Sequence, residues 1–123
     1  MKVSDVIKIM ADMAPPYLAE DWDNSGLQFG SPAQEVKNVF VALEPSIEAV
    51  KAAVRAGADM LITHHPLIFK PLSAIDTDSP TGAIIETAAR NNLAVFAAHT
   101  NLDSAAGGVN DVLCGKIGLR DLS

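Results

Sequence analysis

Two short polar clusters in this sequence carry residue types that bind metal ions. The first is "THHP", in which His64 and His65 follow an apolar run, and the second is "HTNLD", which contains His99 and Asp103. Together they hold all three histidines of the chain. Neutral imidazole is a common ligand for Zn, Fe and Mn ions, and a carboxylate suits harder ions or bridges two metals. The residue types therefore favour a metal site with mixed nitrogen and oxygen ligands.

The adjacent histidines indicate how many ions such a site would hold. Consecutive residues on a strand point to opposite faces, so His64 and His65 can share one site only where the strand has ended and the backbone turns. Pro66 is expected to supply that turn. Two side chains that diverge from one turn could each hold a different ion. With Asp103 as the third ligand, this suggests two ions about 3.5 to 4 Å apart, as in hydrolytic two-metal sites.

Each of these clusters also has a purely structural interpretation. The histidine pair could cap backbone groups at the end of a strand. Asp103 could cap a helix that begins near Gly107, or it could close the turn "NLDS". The sequence alone leaves both interpretations open, and the metal site is favoured because the clusters are predicted to meet.

A third polar stretch, "DWDNSGL", could support the site from outside. Asp21, Asp23 and Asn24 are candidate acceptors that would orient a ligating imidazole, as metal sites commonly require. The alternative is a simple turn with Gly26 at positive φ and Trp22 as an anchor in the core.

Strand and helix patterns alternate through the middle of the chain, which predicts a sheet that brings the polar clusters together. The predicted strands are "NVFVALE", "DMLIT" and "LAVFAA", and the helices between them are "PSIEAVKAAVRAG" and "TGAIIETAARNN". An amphipathic helix precedes this region, and the helix "GGVNDVLCGKIG", with an apolar stripe, follows it. The prediction is a single α/β domain over residues 1–123, with a mainly parallel sheet and helices on its faces.

Ligands of such sheets bind at the carboxyl ends of the strands. The three predicted strands end at Glu44, at His64 and His65, and at His99. Every histidine is therefore expected at one edge of the sheet.

Length, charge and cysteine content limit the function classes. A chain of 123 residues with 49% hydrophobic residues has the composition of one folded domain. Its net charge of −6 argues against a nucleic-acid partner. No run approaches the ~20 apolar residues that span a bilayer, so no membrane partner is expected. One cysteine excludes an internal disulfide and the first residues lack a signal-peptide pattern, so a cytoplasmic location is predicted.

The order of several motifs resembles a known family. The strings "WDNSGLQFG", "VALEPS", "GADMLITHHPLIFKPL" and "AVFAAHTNLDSAAGGVNDVL" cover nearly the whole chain. They resemble the YbgI-like dinuclear-metal family, also called the NGG-interacting factor three family and GTP cyclohydrolase 1 type 2 homologs. THHP together with HTNLD in these surroundings is a highly specific combination.

The resemblance implies an α/β fold with two divalent transition-metal ions (Zn, Fe or Mn) held by His64, His65 and Asp103. His99 matches a position beside that site, and its expected catalytic role is that of a proton shuttle. The family further implies a homo-oligomer, a hexamer in full-length members, and a small-molecule substrate. The function suggested is a metal-dependent hydrolase that acts on a nucleotide or another phosphorylated small molecule. The alternative is a metal-binding assembly or adaptor protein that is not an enzyme.

Two departures from the family pattern change these expectations. Glu44 stands where the family usually has Asp. The chain also has the length of the N-terminal half of a typical member, without the further His and Glu that the second half contributes to the metals. Three protein ligands hold two ions poorly. This chain alone is therefore expected to bind one ion or none, and to be weakly active or inactive.

Overall fold

The computed structural model describes residues 1–120 and has an α/β architecture, as the sequence pattern predicts. The last residues of the "LRDLS" tail, 121–123, lie outside the described residues. The helices are α1 (Val3–Met13), α2 (Ile47–Arg55), α3 (Pro80–Arg90), α4 (Thr100–Ser104) and α5 (Val109–Ile117), with a 3-10 turn at Pro16–Leu18. The strands are β1 (Gly26–Phe29), β2 (Val39–Ala42), β3 (Met60–Thr63) and β4 (Ala94–Ala97).

The four strands form one sheet in the order β1-β4-β3-β2. β2, β3 and β4 are parallel, and β1 pairs antiparallel with β4. In that pair Gly26 lies opposite Ala97, so the residues before β1 arrive at the edge where β4 ends. Four chain segments therefore meet at the carboxyl edge of the parallel strands.

The sheet has a core on each face. One core packs Leu61 and Val95 against Val50 of α2 and against Ile84 and Ile85 of α3. The other packs Met60, Ala94 and Phe96 against the buried side chains of α1. Adjacent residues such as Met60 and Leu61 enter different cores because side chains alternate along a strand. The carboxyl edge of the parallel strands is therefore supported by a packed layer on each face of the sheet.

Three apolar features are more exposed than their sequence patterns indicate. The apolar run of β2 is typical of a buried strand, but β2 is an edge strand in the described sheet, and Val41 is 72% exposed. The apolar stripe of α5 is also exposed, with Val112 and Leu113 each at 53%. Trp22 is 61% exposed and does not anchor the core. Apolar periodicity predicts a helix or strand correctly, but it does not show whether another element covers the apolar face.

None of the helices within residues 1–120 is long and apolar enough to cross a membrane.

Candidate metal centre

The THHP segment forms a tight turn at the end of β3, as Pro66 predicts. The backbone N–H groups of His64 and His65 both donate to the carbonyl of Leu43, at 3.2 and 3.0 Å. The buried Thr63 hydroxyl donates to the carbonyl of His65 at 2.8 Å. These bonds fix the backbone where the strand alternation ends, so both imidazoles lie at one edge. Their ring centroids are 5.0 Å apart.

All three imidazoles of the chain meet at this edge. The ring centroid of His99 lies 5.1 Å from that of His64 and 5.6 Å from that of His65. One ligating nitrogen from each ring falls within 4.8 Å of the others. The predicted convergence of the histidines is therefore present in the structure, and the cluster could hold a metal ion.

Oxygen acceptors orient two of the rings. His64 Nδ1 donates to the carbonyl of Ala98 at 2.9 Å, and His99 Nδ1 donates to Asp23 Oδ1 at 2.8 Å. Because each Nδ1 carries the proton in these bonds, each Nε2 keeps a free lone pair. Metal-binding histidines usually have this arrangement.

His65 is held less tightly. Its Nδ1 lies 3.5 Å from Glu44 Oε1, which is longer than an ordinary hydrogen bond. Glu44 is exposed, but it places a carboxylate at the same edge as the histidines. The sequence left the role of this residue open, and the structure places it beside His65.

Asp103 reaches the cluster from α4. His99 precedes this helix and Asp103 lies four residues later, so both side chains fall on one face of the first turn. Asp103 Oδ1 is 3.5 Å from His64 Nε2. The alternative role as a cap of α5 is not observed, because Gly108 takes the N-cap position without a side-chain cap. The structure thus brings His64, His65, His99 and Asp103 together, and their metal-binding and catalytic roles stay predictions.

Asp23 is the most constrained carboxylate at the site. Its fully buried side chain accepts hydrogen bonds from His99, from the Ser25 hydroxyl, and from both the backbone N–H and the hydroxyl of Thr100. Burial alone raises the pKa of Asp23, but the hydrogen bonds from Thr100, His99 and Ser25 outweigh it and hold the pKa well below its ordinary range. The ionised Asp23 carboxylate therefore holds the His99 ring in place.

Of the three candidate acceptors Asp21, Asp23 and Asn24, Asp23 contacts an imidazole as predicted. Asn24 instead donates to the carbonyl of Ile68, and the neighbouring Asp21 is exposed. Gly26 has the predicted positive φ, at +118°. The orienting role and the turn are therefore both present. Sequence reasoning left the partner of Asp23 unassigned, because the antiparallel pairing of β1 with β4 has no local signal.

The donor set fits a divalent transition-metal ion. Nitrogen ligands bind Zn at about 2.1 Å in a tetrahedral arrangement, so two of them on one ion lie about 3.4 Å apart. One ligating nitrogen from each of the three rings already lies within 4.8 Å of the others, so movements on the order of an ångström would bring them onto one ion. The nearby carboxylate of Asp103 adds the oxygen ligand of a mixed set.

Comparison with known proteins tests the resemblance seen in the sequence. The family model Duf34/NIF3 (NGG1p interacting factor 3) matches residues 1–123. The chain belongs to this family. A curated relative from Halalkalibacterium halodurans, "GTP cyclohydrolase 1 type 2 homolog", is 38% identical over 99% of this chain and 34% of its own length.

Solved structures agree with this family assignment. A Bacillus cereus protein related to NIF3 has 44% identity and a TM-score of 0.93, over 98% of this chain and 34% of that protein. Protein ybgI has 22% identity and a TM-score of 0.88, over 100% of this chain and 49% of that protein, which shows a shared fold. The YbgI-like fold predicted from the sequence is thus confirmed. The chain spans about a third to a half of the length of these proteins.

Proposed function

We propose that this Duf34/NIF3 chain forms the metal-binding part of a hydrolase that acts on a nucleotide or another phosphorylated small molecule. The observation that carries the proposal is the convergence of three imidazoles, two of them with Nδ1 held by an oxygen acceptor. This orientation is common for histidines that bind metals. The proposed ligands are His64, His65 and Asp103.

A dinuclear site is the finer form of this proposal. The His64 and His65 rings lie 5.0 Å apart at one turn, and Asp103 lies 3.5 Å from His64, so these three side chains would hold the two ions. Divalent ions bound there supply Lewis-acid chemistry, which makes water more acidic and polarises the bond under attack. They also supply the positive charge that an anionic substrate needs in a chain of net charge −6. The name of the curated relatives supports a nucleotide as the substrate class.

His99 is the proposed proton acceptor of the site. Its Nδ1 is held by the ionised Asp23, so its Nε2 can accept a proton while the carboxylate stabilises the resulting cation. His99 also lies within the metal-binding cluster, so it could be a ligand instead. The two roles can be distinguished by replacing His99: the protein would lose metal if His99 is a ligand and would keep it if His99 is the proton acceptor.

The test uses a version of the protein extended to the full length of its relatives, because this chain alone is expected to have little activity. Metal content and nucleotide hydrolysis are measured in His65→Ala, His99→Gln and the control Glu86→Ala, whose carboxylate pairs with Arg90 on α3. We expect His65→Ala to lose metal and any metal-stimulated hydrolysis, because it removes a ligand. His99→Gln should keep its metal and lose at least about a hundredfold in rate. The control should match the wild type.

Two results would contradict the proposal. No metal-stimulated hydrolysis of any nucleotide by the version extended to the relatives' full length, with full metal content, would exclude the hydrolase. Metal loss in His99→Gln equal to that in His65→Ala would make His99 a ligand and leave the proton acceptor unassigned.

The second candidate function is a metal-binding adaptor that associates with copies of itself or with other proteins. The exposed apolar side chains of β2 and α5, including Val41, Val112 and Leu113, favour it because such surfaces usually mark interfaces. A homo-oligomer is compatible with both functions and is proposed here, as is a cytoplasmic location without nucleic-acid or membrane partners. In the adaptor, His65→Ala would lower the melting temperature and oligomer size and would change no reaction rate.

A further inference from the structure

Two aromatic side chains stand exposed beside the histidine cluster. Trp22, the only tryptophan of the chain, is 61% exposed, and Phe69 is 48% exposed. Their ring centroids lie 6.0 Å apart with an interplanar angle of 66°. Rings of this size contribute most to stability when they are buried, so two exposed neighbours point to a role in binding.

The aromatic pair adjoins the proposed metal centre directly. The Trp22 ring makes an edge contact with the His99 ring at a centroid distance of 6.3 Å. A recess of about 240 Å³ lies at the pair and is lined by Trp22, Asp23, Asn24, Ile68, Phe69 and Pro71. Sites for whole small molecules measure roughly 300 to 1,000 Å³. The recess therefore suits one ring of a larger ligand.

Hydrogen bonds hold the two sides of the recess together. The Asn24 side-chain amide donates to the carbonyl of Ile68, and the N–H of Ile68 donates to Gln28 Oε1 at 3.1 Å. These bonds join the segment that carries Trp22 to the segment that carries Phe69. A ligand ring would thus meet aromatic side chains that are already positioned, which reduces the entropy lost on binding.

We propose that Trp22 and Phe69 bind a planar heteroaromatic ring of the substrate, such as a nucleobase, and that the rest of the molecule extends to the histidine cluster. Stacking on aromatic side chains suits any nucleobase, because every base has a π-face. The wall contributed by Ile68 and Pro71 is apolar and suits such a ring better than a sugar or a phosphate. The inference rests on the proposed function, since it assigns the ring to that substrate.

The lone tryptophan provides a direct measurement. Trp22 fluorescence is titrated with guanosine and, separately, with ribose, on the full chain in the presence of a metal chelator. Free N-acetyltryptophanamide gives the collisional background. The variants are Phe69→Ala, Phe69→Tyr and the matched control Leu72→Ala, whose side chain is similarly exposed at 45% but does not line the recess. Far-ultraviolet circular dichroism checks that each variant is folded.

Guanosine is expected to quench the Trp22 fluorescence to a saturating level, and ribose is expected to leave this fluorescence unchanged. Phe69→Ala should raise the dissociation constant at least about fivefold, and Phe69→Tyr and Leu72→Ala should stay within about twofold of the wild type. Quenching no greater than the background, equal quenching by ribose, or no change in Phe69→Ala would overturn the inference. Because this assay needs neither metal nor turnover, its failure is distinguishable from failure of the hydrolase proposal.

Discussion

At the scale of single residues, the candidate centre depends on the hydrogen-bond acceptors that orient the imidazole rings as much as on the histidines themselves. The sequence identified His64, His65 and His99 as convergent because each follows a strand of a predicted parallel sheet. Asp23 was only one of three candidate hydrogen-bond acceptors in the sequence, because it lies in a loop that is distant along the chain from His99. Residues that follow strands can thus be placed from the pattern, and residues that orient them require the tertiary fold.

The role of Asp23 is testable with a neighbouring control. In Asp23→Asn the charge that fixes His99 is removed, and we expect metal-stimulated hydrolysis to fall about 10- to 100-fold while the metal stays bound, because His99 is the proposed proton acceptor and not a proposed ligand. Asp21→Asn removes the same charge from an exposed residue two positions earlier and should leave the rate unchanged. Initial rates and metal content are measured for both variants. Equal rates in the two would show that Asp23 only maintains the fold.

At the scale of elements, local pattern predicted most of the architecture. Ser46, at the start of a predicted helix, caps α2, and its hydroxyl accepts from the N–H of Ala49 at 3.1 Å. The strands ending at His64 and His99 also lie where the pattern put them. The antiparallel placement of β1 could not be predicted, because four residues carry too little periodicity to set strand direction. The exposure of β2 was missed because an edge strand and a central strand share the same apolar pattern.

Asp59 fixes the start of the β2/β3 pair and gives it a pH dependence. Its carboxylate accepts from the backbone N–H groups of Lys37 and Asn38, at 2.8 and 2.9 Å. The bonds from Asn38 and Lys37 hold the pKa of Asp59 below its ordinary value, despite an opposing effect of burial. A lowered pKa stabilises the fold above the ordinary carboxyl pKa of about 4, and this stabilisation is lost as the pH falls through the folded value.

Asp59→Asn should therefore destabilise the chain at pH 7 by about 1 kcal/mol, a small effect because solvent screens the carboxylate. The difference from the wild type should shrink as the pH falls below about 4, since protonation removes the same charge. Urea denaturation at several pH values measures it. A difference that stays constant with pH would show that Asn disturbs packing and that the charge of Asp59 contributes nothing.

At the scale of the whole molecule, the described part of the chain exposes apolar side chains on two elements. Val41 on β2 is 72% exposed and Ile117 on α5 is 64% exposed. The chain spans about a third to a half of the relatives' length. The sequence pattern predicts these apolar faces, but no local pattern shows what covers them.

This surface predicts self-association. We expect the wild-type chain to form concentration-dependent oligomers and Val41→Lys to reduce them, because a charge opposes pairing at an exposed strand edge. Ile75→Lys is the matched control, since Ile75 is also 61% exposed but belongs to the long loop before α3. Sedimentation velocity over a hundredfold concentration range, on the order of micromolar to submillimolar, compares them. Association unaffected by Val41→Lys would place the contact elsewhere.

The pairing of β1 with β4 determines when the centre can exist during synthesis. Gly26 pairs with Ala97, so the loop that carries Asp23 has no docking edge until the ribosome has released β4. Long-range strand pairing of this kind closes late in folding. The nascent chain thus presents its His64 and His65 turn well before Asp23 and His99 meet. The full set of side chains at the centre is therefore assembled only after β4 and the start of α4 have been synthesised.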